Sequence, residues 1–227
     1  MGDCFNYVSD GRIIDVFGQD GLCPAVYLNC FERKEGEAVY KILKKRSAPK
    51  FTLISISNTD WDNSLSPWES DPVFKSGEKF GGGGENYLKW LLDELIPLIE
   101  ENRNIHSSEK YIAGYSLAGL FAVWASYKTD EFTKIASASG SLWFPGFLKF
   151  AEDNEISKNL KSAYFSLGDK EDKTKNEIMK TVRENTVKVE NIFNERKVKT
   201  CFKLNNGNHY QQTDSRQAAA IEWILRN

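Results

Sequence analysis

The chain has 227 residues, with 30 Lys and Arg against 32 Asp and Glu, a formal net charge of -2 and 41% hydrophobic residues. With a pI near 5.9 and a mean hydropathy of -0.49, this balance gives no basic surface for nucleic acid or an anionic membrane. No apolar run is long enough to cross a bilayer, so a soluble chain with one α/β unit over 1–227 is expected.

The first residues, Met-Gly-Asp-Cys-Phe-Asn-Tyr, have no basic stretch followed by an apolar one, so no secretory signal is read there. Cys4, Cys23, Cys30 and Cys201 show no Cys-x-x-Cys spacing and are expected to be reduced thiols of a cytoplasmic protein. Gly11, between Asp10 and Arg12, predicts a turn joining two antiparallel strands. From there strand-like and helix-like runs alternate. Strands are predicted at 12–17, 25–30, 51–57, 110–114, 135–139, 163–167 and 198–204, and helices at 36–45, 85–101, 117–127, 175–196 and 214–225. Such alternation points to a mostly parallel sheet with helices on both faces.

The segment 58–84 has no clear periodicity and ends in the run Gly81-Gly-Gly-Gly84. Trp61, Trp68, Phe74 and Phe80 argue against disorder, and no Lys-Ser/Thr pair follows the glycines as a phosphate loop needs. Two readings stay open: a packed loop lining a pocket with Trp61 and Trp68, or an Ω-like loop whose aromatics only anchor it. His106, in the polar stretch 102–109, reads as a solvated loop histidine at the far end of the sheet from the residues that follow.

In Lys110-Tyr-Ile-Ala-Gly-Tyr-Ser-Leu-Ala-Gly-Leu-Phe-Ala-Val-Trp124 a buried strand breaks at Gly114, presents Ser116 and restarts as an apolar helix. A serine on so sharp a turn is strained, and its hydroxyl is pushed out beside a helix N-terminus whose free amides can stabilise an oxyanion. Ala118 stands where the pattern usually has a second glycine, and Gly119 follows it. The loop Ser139-Gly-Ser-Leu-Trp-Phe-Pro145 after the next strand offers Trp143 and Phe144 either as an apolar pocket wall or as core aromatics.

A base is supplied by one of only two histidines. His209 lies in the turn-forming loop Asn205-Asn-Gly-Asn-His-Tyr210 after the last strand, and the chain order serine, acid, histidine places the acid in Gly168-Asp-Lys-Glu-Asp172. Glu171, three residues after the glycine that ends its strand, is favoured, with Asp169 and Asp172 as alternatives that also read as turn or capping residues. The acid must accept the imidazole N–H and stabilise the imidazolium. By position, an oxyanion site combines the Leu117 amide with that of Cys30 or Phe31, although no His-Gly-Gly-Gly run marks the second donor.

Gly-Tyr-Ser-Leu-Ala-Gly119, Ser-Ala-Ser-Gly-Ser-Leu-Trp143, Gly-Asp-Lys-Glu171 and Gly-Asn-His209, in this order, resemble the esterase family of α/β-hydrolases that includes esterase D-like and enterochelin esterase-like enzymes. The likeness runs from about Pro24 to the C-terminus. It implies an α/β-hydrolase fold and hydrolysis of a small-molecule carboxylic ester without a metal or organic cofactor. An acyltransferase with the same residues and a non-catalytic binding protein on the same fold are the rival readings. A siderophore substrate would make arginines near the pocket mouth useful, and sequence alone does not place Arg12, Arg33, Arg46 or Arg103 there.

Overall fold

The computed structural model describes residues 5–18, 22–73, 77–103 and 109–227; Cys4, Phe74, His106 and the Arg103 side chain lie outside the description. Its centre is an eight-stranded sheet in the order β1-β2-β4-β3-β7-β8-β9-β10. The strands are β1 Phe5–Ser9, β2 Arg12–Gly18, β3 Ala25–Asn29, β4 Thr52–Ser57, β7 Lys110–Tyr115, β8 Phe132–Ala138, β9 Ser162–Gly168 and β10 Lys199–Asn205, while β5 Glu69–Ser70 and β6 Phe80–Gly81 form a separate small ladder. β2 pairs antiparallel with β1 and β4, and all other pairs of the large sheet are parallel. The β1–β2 turn is Asp10-Gly11, both residues at positive φ (49° and 74°), as a tight two-residue hairpin requires.

Parallel strands are covered on both faces, which is why β3, β4 and β9 are buried at every position. Alternate residues feed two cores. Tyr27, Ile54, Ile112 and Phe165 point to one core, closed by α3 Gly84–Trp90, α4 Ile96–Arg103, α5 Leu117–Lys128, α6 Phe147–Asp153 and α7 Val182–Glu195. Val26, Leu28, Leu53 and Ala136 point to the other, closed by α1 Arg33–Lys45 and α8 Thr213–Arg226. A short helix, α2 Trp61–Ser64, opens the segment after β4.

Several elements differ from the sequence expectation. The single helix predicted over 85–101 is interrupted by a π-turn at Leu91–Leu95, where the Ile96 N–H reaches back to the Leu91 carbonyl. Pro97 explains the change, because it has no N–H to return to the Asp93 carbonyl and the wider turn absorbs the mismatch. The helix predicted from 175 begins only at Val182, after a 3₁₀ turn at Met179–Thr181. There the Asn176 side chain accepts from the Ile178 and Met179 amides and donates to the Val73 carbonyl, offering the backbone a competing turn. The segment 58–84 is not wholly irregular: it holds α2 and the β5–β6 ladder, and Gly82 (φ 73°) passes so close to Trp68 and Glu69 that a Cβ would lie 2.4 Å from a backbone nitrogen.

One ion pair fixes α1 to the sheet. Arg33 Nε and Nη2 each donate at 2.8 Å to the two oxygens of the buried Asp15 carboxylate, which also accepts from Asn6. Burial pushes the Asp15 carboxyl up, but the Arg33 and Asn6 hydrogen bonds and the Arg33 charge outweigh it and leave the pKa below the ordinary aspartate value of 3.8. A depressed carboxyl contributes stability above its unfolded pKa and loses it as pH falls through the folded value. We expect Asp15→Asn to cost about 1–3 kcal/mol at pH 7, measured by denaturant unfolding. The gap from wild type should close as the pH falls below 3.8.

Candidate active site

The carboxyl edge of a parallel sheet is where loops from several strands converge, and every residue of the site lies there. Ser116 follows β7 directly, with φ 57° and ψ -122°, a conformation that a non-glycine residue holds only when its surroundings enforce it. Its amide donates to the Ala138 carbonyl, and its carbonyl accepts from Ser141, Gly119 and Leu120. The glycine pattern explains itself by contact. A Cβ on Gly114 would meet the Ala118 backbone at 2.4 Å, and a Cβ on Gly119 would sit 2.9 Å from the Gly140 Cα. Ala118 is tolerated because Gly114 opposite it has no side chain. Gly114→Ala is expected to cost about 1–3 kcal/mol, read as a fall in thermal midpoint, since backbone cannot move aside as a flexible side chain would.

His209 is brought to Ser116 by the loop after β10, and Glu171 by the loop after β9. His209 Nε2 lies 3.0 Å from Ser116 Oγ, and His209 Nδ1 lies 2.8 Å from Glu171 Oε2. The Glu171 side chain is 4% exposed. Burial raises its pKa, but hydrogen bonding and charge from His209, the Gly168 amide and the Ser139 hydroxyl together bring it below the usual carboxylate value. An ionised Glu171 can only accept, so Nδ1 carries the proton and Nε2 presents its lone pair to the serine hydroxyl.

Four residues missed in the sequence hold this chain of groups in place. Arg216, 3% exposed in α8, donates to Glu171 Oε1 (3.2 Å), to the Tyr115 hydroxyl (3.2 Å), and to the Asn206 and Asn208 carbonyls (2.9 Å each). Tyr115 donates its hydroxyl to the His209 carbonyl at 2.7 Å; burial raises the phenol pKa, so it stays protonated for that role. Ser139 donates to Glu171 Oε1 at 2.7 Å, and Ser141 Oγ lies 3.4 Å from Ser116 Oγ. Arg216 was legible only as a polar residue beside the buried stripe Gln217, Ala220, Ile221 and Ile224 of the last helix.

Asp169 and Asp172 do not meet His209. Asp169 Oδ1 accepts from the Gly207 amide at 2.8 Å and so braces the histidine loop, while Asp172 faces Arg183 at 3.7 Å. The Leu117 N–H, at the first turn of α5, has no hydrogen-bond partner among the described residues and opens beside Ser116. The expectation for Cys30 is corrected, because its amide continues the sheet by donating to the Ile56 carbonyl at 2.8 Å and its side chain is buried. The Phe31 amide lies one residue further on, at the pocket, and donates to Glu35 Oε2 at 3.2 Å.

A pocket of about 430 Å³ opens over Ser116 and His209. Trp61, Phe80, Trp143 and Met179 supply its apolar wall, with Phe31 and Tyr210 exposed at the rim. Two expectations fail here. Trp68 does not face the pocket: its Nε1–H donates to the Pro145 carbonyl, and its ring packs on Phe144, Phe147 and Phe150. Phe144 is 1% exposed and belongs to the core behind Trp143. Large apolar groups on one loop divide between anchor and wall, and chain position does not say which does which. No helix of the described residues is long and apolar enough to cross a membrane.

The model of the family described as "Putative esterase" matches residues 6–213. A protein of Bacillus subtilis (strain 168), YbbA, described as uncharacterized, is 26% identical over 215 residues, covering 90% of this chain and 86% of its own. Among solved structures, an IroE-like serine hydrolase from Shewanella oneidensis superposes with a TM-score of 0.79 at 17% identity, covering 100% of this chain and 80% of that one. The siderophore hydrolase EstA from Aspergillus nidulans gives 0.74 at 17% identity, with 99% and 94% covered. At such identities the structural likeness carries the fold.

Proposed function

Because the chain belongs to the esterase family, and is on that ground a carboxylic ester hydrolase, we propose that it cleaves small-molecule esters through an acyl-enzyme on Ser116, with His209 as base and Glu171 as its acid partner. The observation that carries this reading is the unbroken line from Ser116 Oγ through both ring nitrogens of His209 to a buried carboxylate, at 3.0 and 2.8 Å.

As the Ser116 oxygen attacks the ester carbonyl, its proton passes to His209 Nε2, and the imidazolium is stabilised by Glu171. The carbonyl oxygen becomes an oxyanion that the free Leu117 amide receives. The Phe31 amide is the second donor once the oxyanion replaces the Glu35 oxygen that holds it in the resting state. Collapse expels the alcohol, which takes its proton from His209, and water then repeats the sequence on the acyl group. Cys30 and Cys201 are free thiols, which supports a reducing, cytoplasmic setting.

Rapid mixing with p-nitrophenyl acetate tests the acyl-enzyme. A burst of p-nitrophenol close to one equivalent per chain, followed by slower turnover, is expected. Hydrolysis with no burst, and with no product from an added alcohol or thiol acceptor, would set the covalent step aside. Transfer to the acceptor that outruns hydrolysis would make the chain an acyltransferase.

A further inference from the structure

Gln217 is 2% exposed, lines the pocket, and neither its side-chain oxygen nor its nitrogen has a hydrogen-bond partner. A buried carboxamide with both ends unused is costly unless a ligand satisfies it. Its surroundings in the same pocket are acidic: Glu35, Asp62 and Glu78 line it, and no lysine or arginine does so among the described residues. Lys75 lies in the segment 74–76 outside them. None of the three carboxylates has a described ion-pair partner, whereas the nearby arginines are spent elsewhere. Arg12 pairs with Asp10 and lies over Trp90, Arg33 holds Asp15, Arg46 faces Glu222, and Arg216 is taken by Glu171 and two carbonyls. Burial raises the Glu35 carboxyl against the lowering by the Glu32 and Phe31 amides, with Asp214 and Glu32 adding to the rise, and burial with Glu78 and Asp60 raises the Asp62 carboxyl. Glu35 accepts only from the Phe31 and Glu32 amides, so among the described residues the pocket carries carboxylate charge that no cation neutralises, set beside aromatic faces that also favour cations.

We infer that the polar side of the pocket, built from Gln217 and Glu35 with Asp62 and Glu78 behind it in charge, binds an ammonium group carried by the ester, so that the preferred substrates are amine-bearing esters rather than anionic ones. The inference rests on the ester hydrolysis proposed above and names its substrate class. The Glu35 carboxylate and the Gln217 oxygen accept from the ammonium, and the Gln217 N–H remains for a substrate oxygen. The apolar wall of Trp61, Phe80 and Trp143 takes the ring or chain between ammonium and ester.

The test uses four p-nitrophenyl benzoates differing only at the para position: aminomethyl, hydroxymethyl, methyl and carboxylate. At neutral pH the aminomethyl ester should exceed the methyl ester in kcat/KM by about tenfold or more, and the carboxylate ester should fall below it. Gln217→Leu and Glu35→Gln should each shrink the aminomethyl-to-methyl ratio several-fold, and added salt should shrink it in wild type. A purely structural role for either residue would lower both rates together and leave the ratio alone. Equal rates for the aminomethyl and methyl esters, preference for the carboxylate ester, or an unchanged ratio in folded variants would overturn the inference. If either variant fails to fold, Asp62→Asn gives the same readout. Failure of wild type to hydrolyse any of the four counts against the hydrolase reading alone. Calorimetry on Ser116→Ala then reads the subsite directly: tighter binding of 4-(aminomethyl)benzamide than of 4-methylbenzamide supports it, and equal binding overturns it.

Discussion

Ser116→Ala is expected to lower kcat for p-nitrophenyl acetate by about 10⁴–10⁶-fold, while the far-ultraviolet circular dichroism and the thermal midpoint stay close to wild type. The rate falls because the attacking oxygen is gone. The fold survives because Ser116 is held by backbone: its amide bonds to Ala138 and its carbonyl to Ser141, Gly119 and Leu120. Alanine keeps all of these, though it keeps the strained dihedrals as well. The loss should not add to that of His209→Ala. Once either member is missing, the other has nothing to act on, and the double variant should be about as slow as the slower single one. Residual activity would come from the Leu117 amide and the pocket.

Glu171→Gln is expected to lower kcat by about 10³–10⁴-fold, with a smaller change in KM. Its carboxylate does two tasks on two oxygens. Oε2 receives the His209 Nδ1–H and so sets which ring nitrogen faces the serine, while Oε1 is saturated by Ser139, Gly168 and Arg216. An amide can keep the shape but not the charge, so in the proposed mechanism the imidazolium would lose its counter-ion, and the buried Arg216 guanidinium loses an ionic partner. Asp172→Asn should lie within a few-fold of wild type, because Asp172 faces Arg183 and not the histidine. Asp169→Asn should fall between the two, acting through the Gly207 amide on the loop that carries His209. Steady-state kinetics on the three variants checks this order.

Much of this was legible in the chain because each signal was local. The strands of the sheet interior showed as apolar runs, since a parallel strand covered on both faces has no polar side to reveal. Ser116 showed because an elbow needs glycine at 114 and small residues at 118 and 119. His209 and Glu171 showed because loops after successive strands of one sheet converge on one edge. What was not legible depended on partners distant in sequence. Whether the Cys30 amide is free depends on the Ile56 carbonyl, and whether Trp68 lines a pocket depends on the Pro145 carbonyl. The role of Arg216 needs five groups from four segments to be in place. The breaks in the predicted helices have local causes, at Pro97 and Asn176, that the apolar periodicity of those segments does not reveal.

The central claim is that Ser116 is a nucleophile activated by His209, and active-site labelling tests it most directly. The protein is treated with a fluorophosphonate probe, digested, and the modified peptide identified by mass spectrometry. The expected result is one label per chain on Ser116, forming rapidly in wild type and far more slowly in His209→Ala. Hydrolytically active protein that takes up no label, or takes it at a residue other than Ser116, would contradict the assignment.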